Sequence, residues 1–284
     1  MREQLEQDII DNINYFKHIN NDYKTIKRFE NKILKLKNPH LSYWFSKNLD
    51  GANINAHEQI VLYSRDLNYN FLFARDIPGA LIKEHGEVII ESKDLEYNID
   101  YAKTFIDSDK EMHAKVIIES GDAKANYTFI SLVNGIDINP HKKVILESNN
   151  IELIYKLVRY HDRKNWQDYV NIFLNSKNPL YCYKFVKYIS NKNLKEFEEI
   201  VLNSKDLEAN YLFALDIRGA DTASHEKVII ESNNLEYIYL FATNVKGIKK
   251  SKYKEIIKNK EKNDYKVLVN KIDNKINLLK NIDK

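Results

Sequence analysis

The sequence predicts an all-α fold: a right-handed αα-superhelix, or solenoid, of about ten 28-residue helix–turn–helix units forming one domain. Three observations carry that expectation. The stretch His225–Lys252 recurs with starts at Phe29, His57, His85, His113, His141, Tyr169, Phe197 and Tyr253, nine copies in all with no insertion. Self-similarity at a fixed period of this length marks a stacked repeat protein. Within each copy the apolar residues fall three and four apart, as on one face of a helix. Helix-start and helix-stop residues punctuate every copy at the same places.

With His225 counted as position 1, helix A is expected from position 26 of one copy to position 8 of the next. Positions 4 and 5 are Val or Ile in most copies, as at Ile60–Val61, Val88–Ile89, Val116–Ile117 and Val228–Ile229. Those β-branched pairs also suit a strand. The polar residues at positions 2, 3 and 7 fit a period of 3.6 and not 2, which decides for a helix. Position 10 is Asp or Asn in eight copies, from Asn38 to Asn234. Such side chains accept the free N–H groups of a following first turn, so helix B should begin at position 11. Pro39 and Pro179 at that position agree. Helix B is expected to run about eleven residues and to stop at a left-handed glycine cap at position 23, as at Gly51, Gly79, Gly135, Gly219 and Gly247.

Three segments follow. Residues 1–28 read as N-terminal capping helices, 29–252 as eight regular repeats, and 253–284 as a drifted ninth repeat with a lysine-rich C-terminal cap. From Lys246 to Lys284 there are 13 lysines against five acids, whereas the rest of the chain carries 31 basic and 36 acidic residues. Terminal units of a repeat array need a polar outer face, which such an end supplies. The same basic tail suits nucleic acid or an acidic partner.

Composition narrows the class. Aromatic residues make up 12% of the chain and recur periodically, so a packed protein is expected and not a disordered one. The single cysteine, Cys182, leaves no disulfide framework and no Cys-cluster zinc site, consistent with a reducing, cytoplasmic setting. The first residues lack the apolar run of a signal peptide or a spanning helix, so no membrane partner is expected. No Gly-rich phosphate loop, G-x-S-x-G or H-E-x-x-H appears. We therefore expect no catalytic residue, no metal site and no small-molecule cofactor.

The pattern H-x-x-V-I-x-x-S-x-D-L-x-Y-x-Y-x-F-A-x-x-[IV]-x-G-A resembles short helical repeats in uncharacterised proteins of low-GC bacteria and their phages. In plan it is similar to the tetratricopeptide and HEAT groups, although the period is shorter and their motif residues are missing. The resemblance implies an αα-solenoid used for binding. By association it implies a phage-encoded inhibitor of a host defence system.

The candidate functional residues stand where the pattern varies. His57, His85, His113, His141 and His225 share position 1, but copies stacked at helix-packing distance hold them too far apart to converge on a metal. Phe29, Tyr169, Phe197 and Tyr253 use the same slot, so a buried flat ring is expected there. Position 19 is basic in six copies, including Arg75, Lys103, Arg159 and Lys187, and could follow a phosphate backbone. The stretch Arg159–Asp168 breaks the rule most: Arg163 replaces the glycine, and Tyr160 and Trp166 enter. One copy on, Lys187 and Tyr188 repeat the basic–aromatic pair. Tyr, Trp and Arg dominate binding hot spots. Arg159, Tyr160, Arg163, Trp166, Lys187 and Tyr188, with Arg75 and Lys103, are thus the expected binding residues. A protein or peptide is the expected partner, and nucleic acid the alternative. A DNA-glycosylase reading of Arg159, Asp162, Trp166 and Asp168 has no motif behind it.

Overall fold

The computed structural model describes residues 11, 23–249 and 253. Apart from residue 11, the predicted N-terminal cap up to residue 22 lies outside the described residues, as does nearly all of the lysine-rich cap. Between Tyr23 and Asn244 the chain is all-helical, with sixteen α-helices, one 3₁₀ segment and no strand. It divides into two compact units, Met1–Asn149 and Asn150–Lys284. In a repeat chain each element packs on near neighbours in sequence, so no common core is built.

The first unit contains α1 (Tyr23–Leu36), α2 (Pro39–Asn48), α3 (Ile54–Ser64), α4 (Leu67–Asp76), α5 (Ile82–Ser92), α6 (Leu95–Thr104), α7 (Lys110–Glu119), α8 (Ala123–Leu132) and α9 (Asn139–Glu147). The second contains α10 (Ile151–Tyr160), the 3₁₀ segment Arg163–Tyr169, α11 (Val170–Ser176), α12 (Pro179–Tyr188), α13 (Leu194–Ser204), α14 (Leu207–Asp216), α15 (Thr222–Glu231) and α16 (Leu235–Asn244). Helix α1 runs through residue 28, so the expected cap boundary falls inside a helix.

Helix B begins at position 11 in every described copy: Pro39, Leu67, Leu95, Ala123, Ile151, Pro179, Leu207 and Leu235. The predicted caps hold it there. Asp66 Oδ1 accepts the Tyr69 N–H at 3.0 Å, and Asn38, Asp94, Asp122, Asn150, Asn178, Asp206 and Asn234 cap their helices alike. The serine at position 8 joins the two helices. Ser64 Oγ donates to Val61 O at 2.7 Å and accepts the Asp66 N–H at 3.1 Å, and Ser92 and Ser204 do the same.

The position 23 glycine is not the helix cap. Helix α4 stops at Asp76, and Ile77 after it is extended (φ −101°). Gly79 (φ 79°) lies beyond, in a turn closed by Ala80 N–H to Ile77 O at 3.2 Å. Sequence signals that a glycine conformation is needed but not which turn needs it. The left-handed caps instead follow helix A, at Arg65, Lys93, Lys177 and Lys205, with φ between 50° and 58°.

Packing within each compact unit follows one rule: helix B lies against helix A of the next copy, and like helices lie against like. Helices of nine to eleven residues need such contacts, being marginal alone. The ring at position 17 meets the ring at position 1 of the following copy. Phe45 is 4.9 Å from His57, Phe129 is 5.1 Å from His141, and Phe185 is 4.9 Å from Phe197, centroid to centroid. Tyrosines at position 13 pack on the position 15 ring of the preceding copy, as Tyr181 does on Tyr155 at 5.7 Å.

One copy varies this in a compensated way. Position 17 holds Tyr101 in place of Phe, and its hydroxyl donates to Ile82 O at 2.6 Å. Gly86 makes room for the larger ring: a Cβ there would sit 3.1 Å from Tyr101 Cε1. Tyr101 is fully buried and tied at its hydroxyl, so it cannot swing aside. Gly86→Ala should therefore destabilise by about 1 kcal/mol despite its better helix propensity. Thermal unfolding checks this; a rise in melting temperature refutes the fit.

Candidate functional site

The histidines build structure. His57, His85, His113, His141 and His225 are completely buried. In four of them Nδ1 lies 2.7 Å from an asparagine Oδ1 of the preceding copy: His85 with Asn70, His113 with Asn98, His141 with Asn126 and His225 with Asn210. Each of these asparagines spends its Nδ2 on two backbone carbonyls, as Asn126 does on Ile117 O and Asp122 O at 2.9 and 2.8 Å. Its Oδ1 must then accept, which assigns the imidazole proton to Nδ1. Glu30, Glu58 and Glu198 lie on the other ring nitrogen of His57, His85 and His225, at 3.5, 3.3 and 3.2 Å. The same carboxylates accept the backbone N–H of Asn53, Leu81 and Asp221, ahead of the next helix A. Among the described residues no three His, Cys, Asp or Glu side chains are grouped to hold a metal ion.

Most of the described basic residues at position 19 have partners. Lys47 Nζ lies 2.7 Å from Asp76 Oδ2, Arg75 Nε 2.7 Å from Asp76 Oδ1, and Lys187 Nζ 3.0 Å from Asp216 Oδ2. The Arg75 guanidinium, with Lys47 and Tyr43, holds the Asp76 carboxyl well below its ordinary range. Burial alone would lower the Lys187 ammonium, but its hydrogen bonds to Tyr183, Tyr188 and Asp216 outweigh that and raise it. Lys103 is exposed.

The second compact unit gathers several expected binding residues. Arg159, in the last turn of α10, places its guanidinium carbon 4.4 Å over the Tyr188 ring, 5.1 Å over Tyr160 and 5.8 Å over Tyr155. Its Nη1 donates to the Tyr155 hydroxyl at 2.7 Å. Lys187 Nζ lies 4.8 Å from the centre of the same Tyr188 ring. Tyr160 is 61% exposed, a large aromatic surface beside a half-buried cation. Stacking of this kind contributes about 0.5–2 kcal/mol per pair and fixes the guanidinium plane.

Trp166 and Arg163 lie elsewhere in that unit. The 3₁₀ segment replaces the glycine turn and the first part of helix A, with a kink at Asn165. Trp166 is half-buried, edge-on to Phe185 at 6.4 Å, with Lys192 Nζ 5.5 Å over its ring. Arg163 is exposed at the start of the segment. Buried Asp162 anchors the kink, accepting from Tyr169 Oη at 2.5 Å and Asn165 Nδ2 at 2.6 Å. The broken repeat thus has a structural account in Asp162 and a candidate site in Arg159, Tyr160 and Tyr188.

A cleft of 610 Å³ in the first compact unit is lined by Lys83, Glu87, Glu91, Asp107, Asp109 and Met112, among others. It contains none of the expected residues. Among the described residues no helix is long and apolar enough to cross a membrane. No protein-family model matches the chain, and no curated protein and no solved structure matches it either.

Proposed function

We propose that the chain is a non-catalytic helical-repeat scaffold, a solenoid of about ten 28-residue units, that binds a protein or peptide partner through the Arg159–Tyr160–Tyr188 cluster. The even spacing of eight helix B starts supports the solenoid reading. The carrying observation for function is the guanidinium of Arg159 held among three tyrosine rings beside exposed Tyr160. Rigid aromatic–arginine surface of this kind anchors protein interfaces. A ladder for phosphates needs a row of free cations, whereas Lys47, Arg75 and Lys187 are spent on Asp76 and Asp216. Inhibition of a host defence component is one form such binding takes.

Affinity capture from a bacterial lysate, with protein and nucleic acid both analysed, tests the proposal. Wild type should retain a protein partner that resists nuclease, and Arg159→Gln and Tyr160→Ala should each lose it at least tenfold. Binding should change little between about 50 and 200 mM salt, where phosphate contacts weaken by orders of magnitude. Capture of nucleic acid with a steep salt dependence, or capture indifferent to both substitutions, refutes the reading.

A further inference from the structure

Three copies carry the same pair in helix B, a tyrosine at position 15 and a basic residue at position 19: Tyr43 with Lys47, Tyr155 with Arg159, and Tyr183 with Lys187. In two of them the next copy completes the pair with an aspartate at position 20. Tyr43 Oη and Lys47 Nζ both donate to Asp76 Oδ2, the lysine at 2.7 Å. Tyr183 Oη and Lys187 Nζ both donate to Asp216 Oδ2, the lysine at 3.0 Å. The same three-part bond therefore occurs twice, 140 residues apart.

In the third copy position 20 is Tyr188, which offers a ring face and no carboxylate. Arg159 still donates to the Tyr155 hydroxyl at 2.7 Å. Among the described residues no carboxylate lies within 4.0 Å of Arg159, and the Tyr155 O–H meets no acceptor. We propose that Tyr155 and Arg159 form a seat for one carboxylate from an acidic segment of a partner protein, filling the place that Asp76 and Asp216 fill from within the chain. This rests on the scaffold reading above and names the chemistry its cluster recognises.

The seat suits a carboxylate for three reasons. The template is a carboxylate in both complete copies. The guanidinium, its carbon 4.4 Å over the Tyr188 ring, spends Nη1 on the Tyr155 hydroxyl and keeps its other N–H donors for a planar two-oxygen acceptor, the geometry that arginine forks favour. Lys187, the neighbouring cation that a phosphate chain would need next, already holds Asp216.

Fluorescence anisotropy on the full-length protein tests this with a labelled oligoglutamate peptide and, separately, a labelled oligothymidylate. The lysine-rich end is the same in every variant, so differences between variants are the readout. Arg159→Gln should weaken oligoglutamate binding roughly tenfold or more. Tyr188→Asp builds the missing carboxylate into the chain, so it should weaken binding as much while keeping or raising the melting temperature. Lys124→Gln, an exposed cation outside the seat, should change nothing. No oligoglutamate binding, equal binding by wild type and both seat variants, or a loss confined to oligothymidylate each overturns the seat. Lysate capture separates the two ideas. If Tyr160→Ala abolishes capture but Tyr188→Asp does not, the scaffold reading stands and the seat falls.

Discussion

Acidification from about pH 7.5 to about pH 5 should remove on the order of 4 kcal/mol of stability through His113 and His141 alone. Both rings are completely buried, and burial depresses each from the ordinary 6.5 to about 4; Asp109 and Asp137 pull upward more weakly. The unfolded chain therefore binds a proton at each site between about pH 6.5 and about pH 4, where the folded chain does not. Stability is full above the unfolded value and falls as pH drops towards the folded one, by about 2 kcal/mol per ring at pH 5. Asp76, held low, gives way only further down, so it does not blur this window. His57, His85 and His225 are left out of the sum because Glu30, Glu58 and Glu198 face them and take part in the proton balance. The first compact unit should melt roughly 10 °C lower at pH 5 than at pH 7.5. Equal melting temperatures would mean that the rings are not buried neutral.

Much of this was legible in the chain. Eight helix B starts and their Asx caps follow from counting, because a cap is a local event between a side chain and the next turn. The Asn–His bond was equally visible and harder to read. Position 14 is Asn before each of His85, His113, His141 and His225, Ile before Tyr169 and Tyr253, and Cys before Phe197. Only Ser42 before His57 departs, and it makes no hydrogen bond to that ring. The two positions covary 15 residues apart across a copy boundary, whereas a helical pattern is read three and four residues at a time. Asp76 and Asp216 were missed for the same reason: position 20 answers position 19 of the copy before, and nothing local connects them. The Gly79 turn failed differently, since a positive φ can serve several turn types.

Exchanging Asn126 and His141 together should be nearly neutral where either change alone is costly. Asn126→Cys leaves the His141 Nδ1–H without its acceptor at a fully buried site, at about 2–3 kcal/mol, while the Ile117 carbonyl keeps the Ser120 hydroxyl at 2.7 Å. His141→Phe alone strands Asn126 Oδ1, at about 1–3 kcal/mol. The pair Cys and Phe already exists in the chain: Cys182 occupies the asparagine slot, its Sγ 3.7 Å from Phe173 O, ahead of Phe197. Phe197 stacks on Phe185 at 4.9 Å and 29°, much as His141 stacks on Phe129 at 5.1 Å and 21°. Ala114 at position 2 adds no carboxylate that a phenylalanine would strand, which is why this copy and not that of His225 is chosen. The double variant should lie within about 1 kcal/mol of wild type, a coupling of about 2–4 kcal/mol in a double-mutant cycle by urea unfolding. It should also lose about half of the acid sensitivity, because one of the two titrating rings is gone. Additive losses would show that the asparagine and the histidine contribute separately, and that the bond between them does not set the residue in the slot.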